Sequence, residues 1–565
     1  RFPSRISRGR AAAFTSETRE MRDGKRPIGS AATDKDTPGE TTDTDNLRSR
    51  ASSSTPPSTD TVGLAPRTHP SKRRRTRSGL SEGGGSSSSD TSAGSVSLLF
   101  GVPAEVAAMM IKHCDPFDFA SLCMCCRALH TLVEQGLRLR SVEKGYALPQ
   151  ALPGGEARCH ERVQLILSLE RRRAHLGRTL SAGMSHSLFI SPEGALLSCG
   201  TEWDHAGNPA PGLVGHGELQ ETGDTPAQVV SPTRLPSLEG VRIRAVAAGV
   251  TFSLALSTEG HVYSWGQGDM RQLGHGWTPE AHHASFEHTP RRINALSGER
   301  VIAVEAGFIH ALALSDTGVV WSWGAGGDGR LGHGHARHVS APKRINALKD
   351  RRVCAIAAGY ESSLALSHDG TVLSWGRGAL GQLGHGGNPK PPSENKPRAV
   401  EALHGLPISA IAAGNKRSLA LSRGGAVYSW GDGSDGQLGH GDDLNLDTPK
   451  QVAALAHLEV VTVVAGASHS FAITTDGALY SWGAGQCGRL GHGNEESQKA
   501  PLRVGGLQAV KVRAVSGGAF HSLAADEHGG LHGWGDGDGA SLGLNLTQDQ
   551  LVPARYNAGL RVALE

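Results

Sequence analysis

Residues 178–565 are predicted to form an all-β seven-bladed β-propeller of four-stranded blades, and three observations predict it. A phrase recurs along the chain: Ser264-Trp265-Gly266 with Leu273-Gly274-His275-Gly276, Ser374-Trp375-Gly376 with Leu383-Gly384-His385-Gly386, and Ser429-Trp430-Gly431 with Leu438-Gly439-His440-Gly441. An Ala-Gly or Gly-Gly pair follows an apolar run at Gly183, Gly249, Gly307, Gly359, Gly414, Gly466 and Gly518, at spacings of 66, 58, 52, 55, 52 and 52 residues. No copy contains an amphipathic helix. Self-similarity at about 50 residues marks one supersecondary unit repeated, whose apolar faces are buried only when the copies pack on one another. The 76 Gly residues suit many tight antiparallel turns.

The N-terminal 1–95 are a different material, rich in Ser, Thr, Gly and Arg, with Gly83-Gly84-Gly85 followed by Ser86 to Ser89. They hold too few aliphatic and aromatic residues to build a core, so disorder is expected. They carry 17 Lys and Arg against 11 Asp and Glu, whereas the rest of the chain carries 40 against 43, so the positive total belongs to the tail. Within it Lys72, Arg73, Arg74, Arg75 and Arg77 form a cationic run. In a flexible segment this pattern is a nuclear-import candidate, with contact to nucleic-acid phosphate or a merely solvated run as the alternatives.

Residues 96–145 read as three short helices, with Pro103 in a first turn and Pro116 opening the next element. The Pro103-Ala104-Glu105-Val106 start, the Asp115-Pro116-Phe117-Asp118-Phe119 bend and the Leu122-Cys123-Met124-Cys125-Cys126-Arg127-Ala128-Leu129 run resemble an F-box. That resemblance implies docking on a Skp-type adaptor of a cullin ubiquitin ligase through Val102, Pro103, Val106, Ile111, Phe117 and Leu122. His113-Cys114 and Phe119 depart from the family's aliphatic habit. A small helical cap on the ring is the alternative. Four of the 8 cysteines cluster at Cys114, Cys123, Cys125 and Cys126, but their spacing matches no pair of zinc knuckles, and packing is the expected role. Residues 146–177 form a linker with a connecting helix around Val163, Leu165, Ile166 and Leu169, ending in Glu170-Arg171-Arg172-Arg173.

One copy of the repeat divides into strands at Val241–Val246, Ser253–Ser257, His261–Trp265 and Arg291–Leu296. Two-residue turn signals such as Glu259-Gly260 and Asp369-Gly370 lie between the second and third. Trp265, Trp323, Trp375, Trp430, Trp482 and Trp534 share one position, where Cys199 stands in the first copy, and are expected between blades. His216, His275, His333, His385, His440 and His492 come one per blade and are expected to serve the turn rather than one shared metal ion. Leu551 to Arg555 and Leu560 to Leu564 look like the start of an eighth copy and are expected to pair into the first or last blade, since an open edge invites aggregation.

The phrases Ala-Gly-x-x-His, Ser-Leu-Ala-Leu-Ser, Gly-x-Val-Tyr-Ser-Trp-Gly and Gly-Gln-Leu-Gly-His-Gly resemble the repeats of the regulator of chromosome condensation family. The resemblance implies a seven-bladed propeller and leaves function open, because propellers host unrelated activities. It offers nucleotide exchange on a Ran-like small GTPase, or chromatin binding, as an alternative to the ligase role. A plant ultraviolet-B photoreceptor with these repeats carries Trp directly after the Gly. Here those positions are Met184, Val250, Phe308, Tyr360, Asn415, Ala467 and Ala519, which argues against that light-sensing mechanism.

No nucleophile elbow, phosphate loop or metal-ligand spacing is present, so no enzyme, cofactor or small-molecule substrate is expected. No run of about 20 apolar residues suggests a membrane span, and the sparse cysteines fit a reducing compartment, nucleus and cytoplasm. The positions after each Gly should rim one face of the ring. Phe308, Ile309, His310, Tyr360, Glu361, Asn415, Lys416, Arg417, Phe520 and His521 are the expected partner-binding set, being rich in aromatic and basic anchors. The longer loops Trp203 to Leu213 and Trp277 to His288 are further candidates.

Overall fold

The structure, a computed structural model, describes residues 178–564 apart from 204–208, 220–226, 277–285, 388–391, 538–539, 547 and 558. The tail with its basic run, the F-box-like segment and the connecting helix lie outside the described residues, as do His282 and His283. Seven four-stranded antiparallel sheets follow one another, each built from consecutive strands. Their inner strands run from Leu180–Ala182 in blade one to Val512–Gly517 in blade seven, and their outer strands from Gln228–Arg234 to Gln550–Arg555.

In the copy divided above, the strands are Ile243–Ala248, Phe252–Ser257, Val262–Gln267 and Phe286–Arg292. The first begins two residues later than expected. The fourth lies earlier, and Asn294–Leu296 is a 3-10 turn. Its apolar residues had suggested a strand, but Ile293 and Leu296 plug the space beneath the connector, 1% and 3% exposed. The outer strand itself is solvent-facing and needs no apolar alternation.

Each outer strand carries one proline, at Pro232, Pro290, Pro342, Pro397, Pro449, Pro501 and Pro553, with Lys or Arg within two residues after it. Proline removes a ladder donor, and a cation resists burial against a second sheet. The seven exposed edges are therefore blunted where another chain would pair.

Seven apolar clusters make the core, and each straddles two adjacent blades. Six of them hold one Trp, all 0% exposed. The cluster between blades seven and one holds Cys199 instead, with Phe189 and Tyr556 edge to face at 6.1 Å between ring centres.

The last residues make no eighth copy. Gln550–Arg555 is the outer strand of blade seven, paired with Leu531–Gly535. Beyond it the Val562 N–H donates to the Gly529 carbonyl, and the Ala563 N–H to the Ile190 carbonyl of blade one at 2.8 Å. The pairing into the last blade and the reach to the first are thus both present.

The recurring phrase is a staple within each blade. The Ser264 hydroxyl donates to the Leu273 carbonyl at 2.7 Å and accepts from His275 Nε2 at 3.0 Å. The same triplet occurs at Ser198–Val214–His216, Ser322–Leu331–His333, Ser374–Leu383–His385, Ser429–Leu438–His440 and Ser481–Leu490–His492. Gly274 between them has φ +77°, and a Cβ there would lie 2.7 Å from Trp323 Nε1 of the next blade. Only glycine both adopts that backbone and admits the indole.

Blade seven loses both ends of the staple together, with Gly533 for the serine and Leu544 for the histidine. The Tyr556 hydroxyl takes over, donating to the Leu542 carbonyl, and a Cβ on Gly533 would lie 2.9 Å from that hydroxyl. Tyr556→Phe is expected to cost about 1–3 kcal/mol by orphaning a buried carbonyl. Urea unfolding would show it as a lowered midpoint with an unchanged slope.

Candidate functional site: the channel mouth and the joints beneath it

The inner strands converge on a central channel. Ala182, Ala248, Ala306, Ala358, Ala413, Ala465 and Gly517 line it at one repeat position. Seven strands meet there, and only small side chains fit. The residue after each Gly rims the channel mouth: Met184, Val250, Phe308, Tyr360, Asn415, Ala467 and Ala519. The mouth is lopsided, with large apolar groups over blades one to four and small ones over blades six and seven.

A belt of backbone bonds ties the second half. Tyr360 N–H donates to the Gly414 carbonyl, Asn415 to Ala467, Ala467 to Gly518, and Ala519 to Gly183, at 3.0–3.3 Å. The last of these carries the belt from blade seven to blade one.

Two residues further on, the side chains turn inward and build the joints between blades. His310 Nε2 donates to the Ser363 hydroxyl of the next blade at 2.9 Å, and that hydroxyl donates to the Arg330 carbonyl at 2.9 Å. Trp375 Nε1 donates to the same carbonyl at 2.8 Å. The tautomer is assigned from this network, since the serine proton goes to the carbonyl.

The same relay joins His186 to Ser253, His469 to Ser522, and His521 to Ser187 across the closure. Each of the six tryptophans donates its Nε1–H to a loop carbonyl of the preceding blade. At the closure the Cys199 thiol and Ser187 hydroxyl face the Ser541 carbonyl, at 3.5 and 2.6 Å. Between blades two and three the relay is apolar, Phe252 and Ala311 sharing one cluster.

Arg417 holds the histidine's place in blade five. It is 1% exposed. Its Nε donates to the Ser470 hydroxyl at 3.0 Å, and its Nη atoms to the carbonyls of Ala467, Gly466 and His469. Burial lowers its pKa to about 10, against the pull of Asp432 and Asp435, so it stays charged at neutral pH. Burial also holds His186 and His310 neutral, pushed down to about 3.

The expected partner set therefore divides. His310, Arg417 and His521 are buried joint residues, and Tyr360 and Glu361 are 5% and 3% exposed. In the linear chain His310, Arg417 and His521 look like rim residues because the position before Ser253 and its counterparts reads as loop, whereas it opens the second strand. Tyr360 and Glu361 precede that strand and are buried all the same. Phe308, Ile309, Asn415, Lys416 and Phe520 are half-buried on the face.

The structure brings together a pre-set surface there. Phe308 and Tyr360 stack at 3.8 Å with 10° between their planes. Arg330 Nη1 donates to the Tyr360 carbonyl, and Glu361 is held by Arg330 at 3.3 Å and Arg377 at 2.8 Å. Arg489 lies over the Phe520 ring at 4.5 Å and donates to the Ala519 carbonyl. Sequence reasoning missed Arg330 and Arg489. The signal was there: both replace the Gln of Gly-Gln-Leu-Gly-His-Gly.

The described ends of the longer loops lie on this same face. Trp203 bridges to Pro209 and Leu213 is buried, while of Trp277 to His288 only Phe286 to His288 are described, opening an outer strand. Among the described residues no group of three His, Cys, Asp or Glu is placed to hold a metal ion, and no helix is long and apolar enough to cross a membrane.

Comparison with known proteins agrees with this architecture. The RCC1-like domain profile matches residues 214–563. The chain is 35% identical over 375 residues to the ultraviolet-B receptor UVR8 of Arabidopsis thaliana, covering 66% of this chain and 80% of UVR8. It is 38% identical over 333 residues to the human E3 ubiquitin-protein ligase HERC2, covering 58% of this chain and 6% of HERC2. Prp20p of Saccharomyces cerevisiae, whose crystal structure was described with its binding to Gsp1p and histones, shares the fold at a TM-score of 0.55 and 22% identity, over 69% of this chain and 90% of Prp20p.

Proposed function

The chain belongs to the RCC1-like domain family, and from that premise we propose that it is a non-catalytic protein-interaction ring serving as the target-selecting subunit of a cullin-type ubiquitin ligase. The observation that carries the reading is the division of labour in the repeat. Its Trp, Ser and His side chains are spent on staples and joints, and the residues left free vary from blade to blade around one face. Such a surface selects a partner and does no chemistry. Recruitment would come from residues 96–145, with Val102, Pro103, Val106, Ile111, Phe117 and Leu122 buried against a Skp-type adaptor. Lys72 to Arg77 would direct nuclear import, giving a protein shared between nucleus and cytoplasm.

Copurification tests this. The full chain is expected to retain a Skp-type adaptor, and Val106→Ala with Ile111→Ala to lose it. Absence of the adaptor from both preparations sinks the ligase reading. The similarity to Prp20p supports a second one, in which the ring acts on a Ran-like GTPase or on chromatin. Accelerated nucleotide release from Ran by the full chain would select it. Light sensing as in UVR8 is disfavoured, because none of the seven mouth positions is Trp.

A further inference from the structure

The loops that join third to fourth strands surround the channel mouth, on the face where Asp432 N–H donates to the Lys416 carbonyl and Asp536 N–H to the Phe520 carbonyl. Their charge is divided across the ring. In blades five to seven, the described residues of loops 432–445, 484–497 and 536–549 carry eight carboxylates and a single Lys or Arg, Arg489, which is buried against Phe520. In blades two to four, the described residues of the corresponding loops carry two carboxylates, Asp269 and Asp328, and three cations, Arg271, Arg330 and Arg337. Blade one adds Glu202, buried, and Glu218, exposed, with no Lys or Arg among its described loop residues.

Asp432 and Asp435 lie within the field of Arg417 and are half-buried, and burial with the neighbouring Asp432 charge raises the Asp435 pKa. Asp443 is taken by Lys499 of the neighbouring outer strand. Glu495 and Glu496 are exposed. Across the mouth, Val250, Phe308 and Ile309 present half-buried apolar surface beside a channel walled with alanine, with Met184 buried behind the rim.

We propose that this face docks a basic protein segment that seats one apolar side chain in the channel mouth, against Val250 and the Phe308–Tyr360 pair, and lays its flanking cations over the acidic loops of blades five to seven. The proposal rests on the ring being a protein-interaction module, and it names the partner's chemistry. Sign decides against nucleic acid and anionic membrane, which the carboxylates repel. Depth decides for a side chain, because among the described residues the mouth offers a recessed apolar seat beside the acids, whereas Leu444 of the acidic loop protrudes into solvent. The seat is rigid: Tyr360 is stacked on Phe308 and held at its carbonyl by Arg330. Little ordering is left to be done on binding.

The test uses the full chain and three synthetic peptides of about twelve residues: one with a central Leu flanked by Lys, its Leu→Ser version, and its version with every Lys replaced by Glu. Fluorescence anisotropy at low salt is expected to show binding of the first, at least about tenfold weaker binding of the second, and none of the third. Salt should weaken the first steeply. Ala467→Phe, which fills the mouth, should abolish the Leu preference while leaving the melting temperature unchanged. Asp432→Asn with Asp435→Asn should flatten the salt dependence. Equal binding of the Leu and Ser peptides, tighter binding of the Glu peptide, or no binding of any overturns the proposal. None of these readouts involves the adaptor, so failure of the ligase reading leaves this assay unaffected.

Discussion

Arg417→Ala is expected to cost roughly 3 kcal/mol, through the lost hydrogen bond to Ser470 and the cavity left by a fully buried side chain. It also removes one of the two cations, with Arg489, that act on Asp435. Arg417→His should recover most of that loss. Histidine performs the same relay at His186, His310, His469 and His521, where Nε2 reaches the serine of the next blade at 2.8–3.0 Å. The carbonyls that Arg417 touches do not all depend on it: Ala467 and His469 also accept from the backbone N–H groups of Asn415 and Gly466. Guanidinium unfolding of both variants decides the matter. If histidine is as damaging as alanine, the arginine does something the joint alone does not explain.

Acid should open the ring between pH 6.5 and 5. His186 and His310 titrate at 6.5 when exposed and are held near 3 in the fold by burial. In that interval the unfolded chain binds protons that the native state refuses, so stability falls as pH falls. Their contribution is complete above 6.5 and disappears as pH drops towards 3. At about 1.4 kcal/mol for each unit of pH, the two together should remove about 4 kcal/mol by pH 5. That is a large part of the 5–15 kcal/mol typical of a folded domain. His469 is shifted the same way by burial and adds to the effect. Denaturant midpoints measured from pH 7.5 to 5 should drop steeply, and His310→Gln should reduce the slope by one proton. A midpoint constant across that range would show that these histidines accept protons in place.

The ring was legible in the sequence because each repeated residue answers a geometric demand repeated seven times. Ala-Gly appears because seven strands meet at one channel, and Leu-Gly-His because the glycine lies against the next blade's indole. What failed was reading function from the same positions. His310, Arg417 and His521 look like rim residues in a linear chain. Their burial depends on a one-residue register choice at Phe252 and its counterparts, which composition cannot make. The fourth strand was misplaced for a related reason. Ile293 and Leu296 carry the apolar signal of a strand but spend it on a connector. The charge division across the face was equally hidden, because loops 432–445 and 484–497 are not neighbours until the blades are set side by side.

The closure between blades seven and one uses the His–Ser joint found at three other junctions, His521 to Ser187, rather than a strand lent across the gap. Seven units in a row have six junctions, and losing any one splits the row. Seven in a circle have seven, and losing one leaves every unit still connected through the other side. That redundancy explains how two junctions do without the relay: the apolar meeting of Phe252 and Ala311 between blades two and three, and Ser362, whose hydroxyl finds no partner among the described residues, between blades four and five. It also means that damage at a single junction should be felt first as looseness, and as collapse only when a second junction fails.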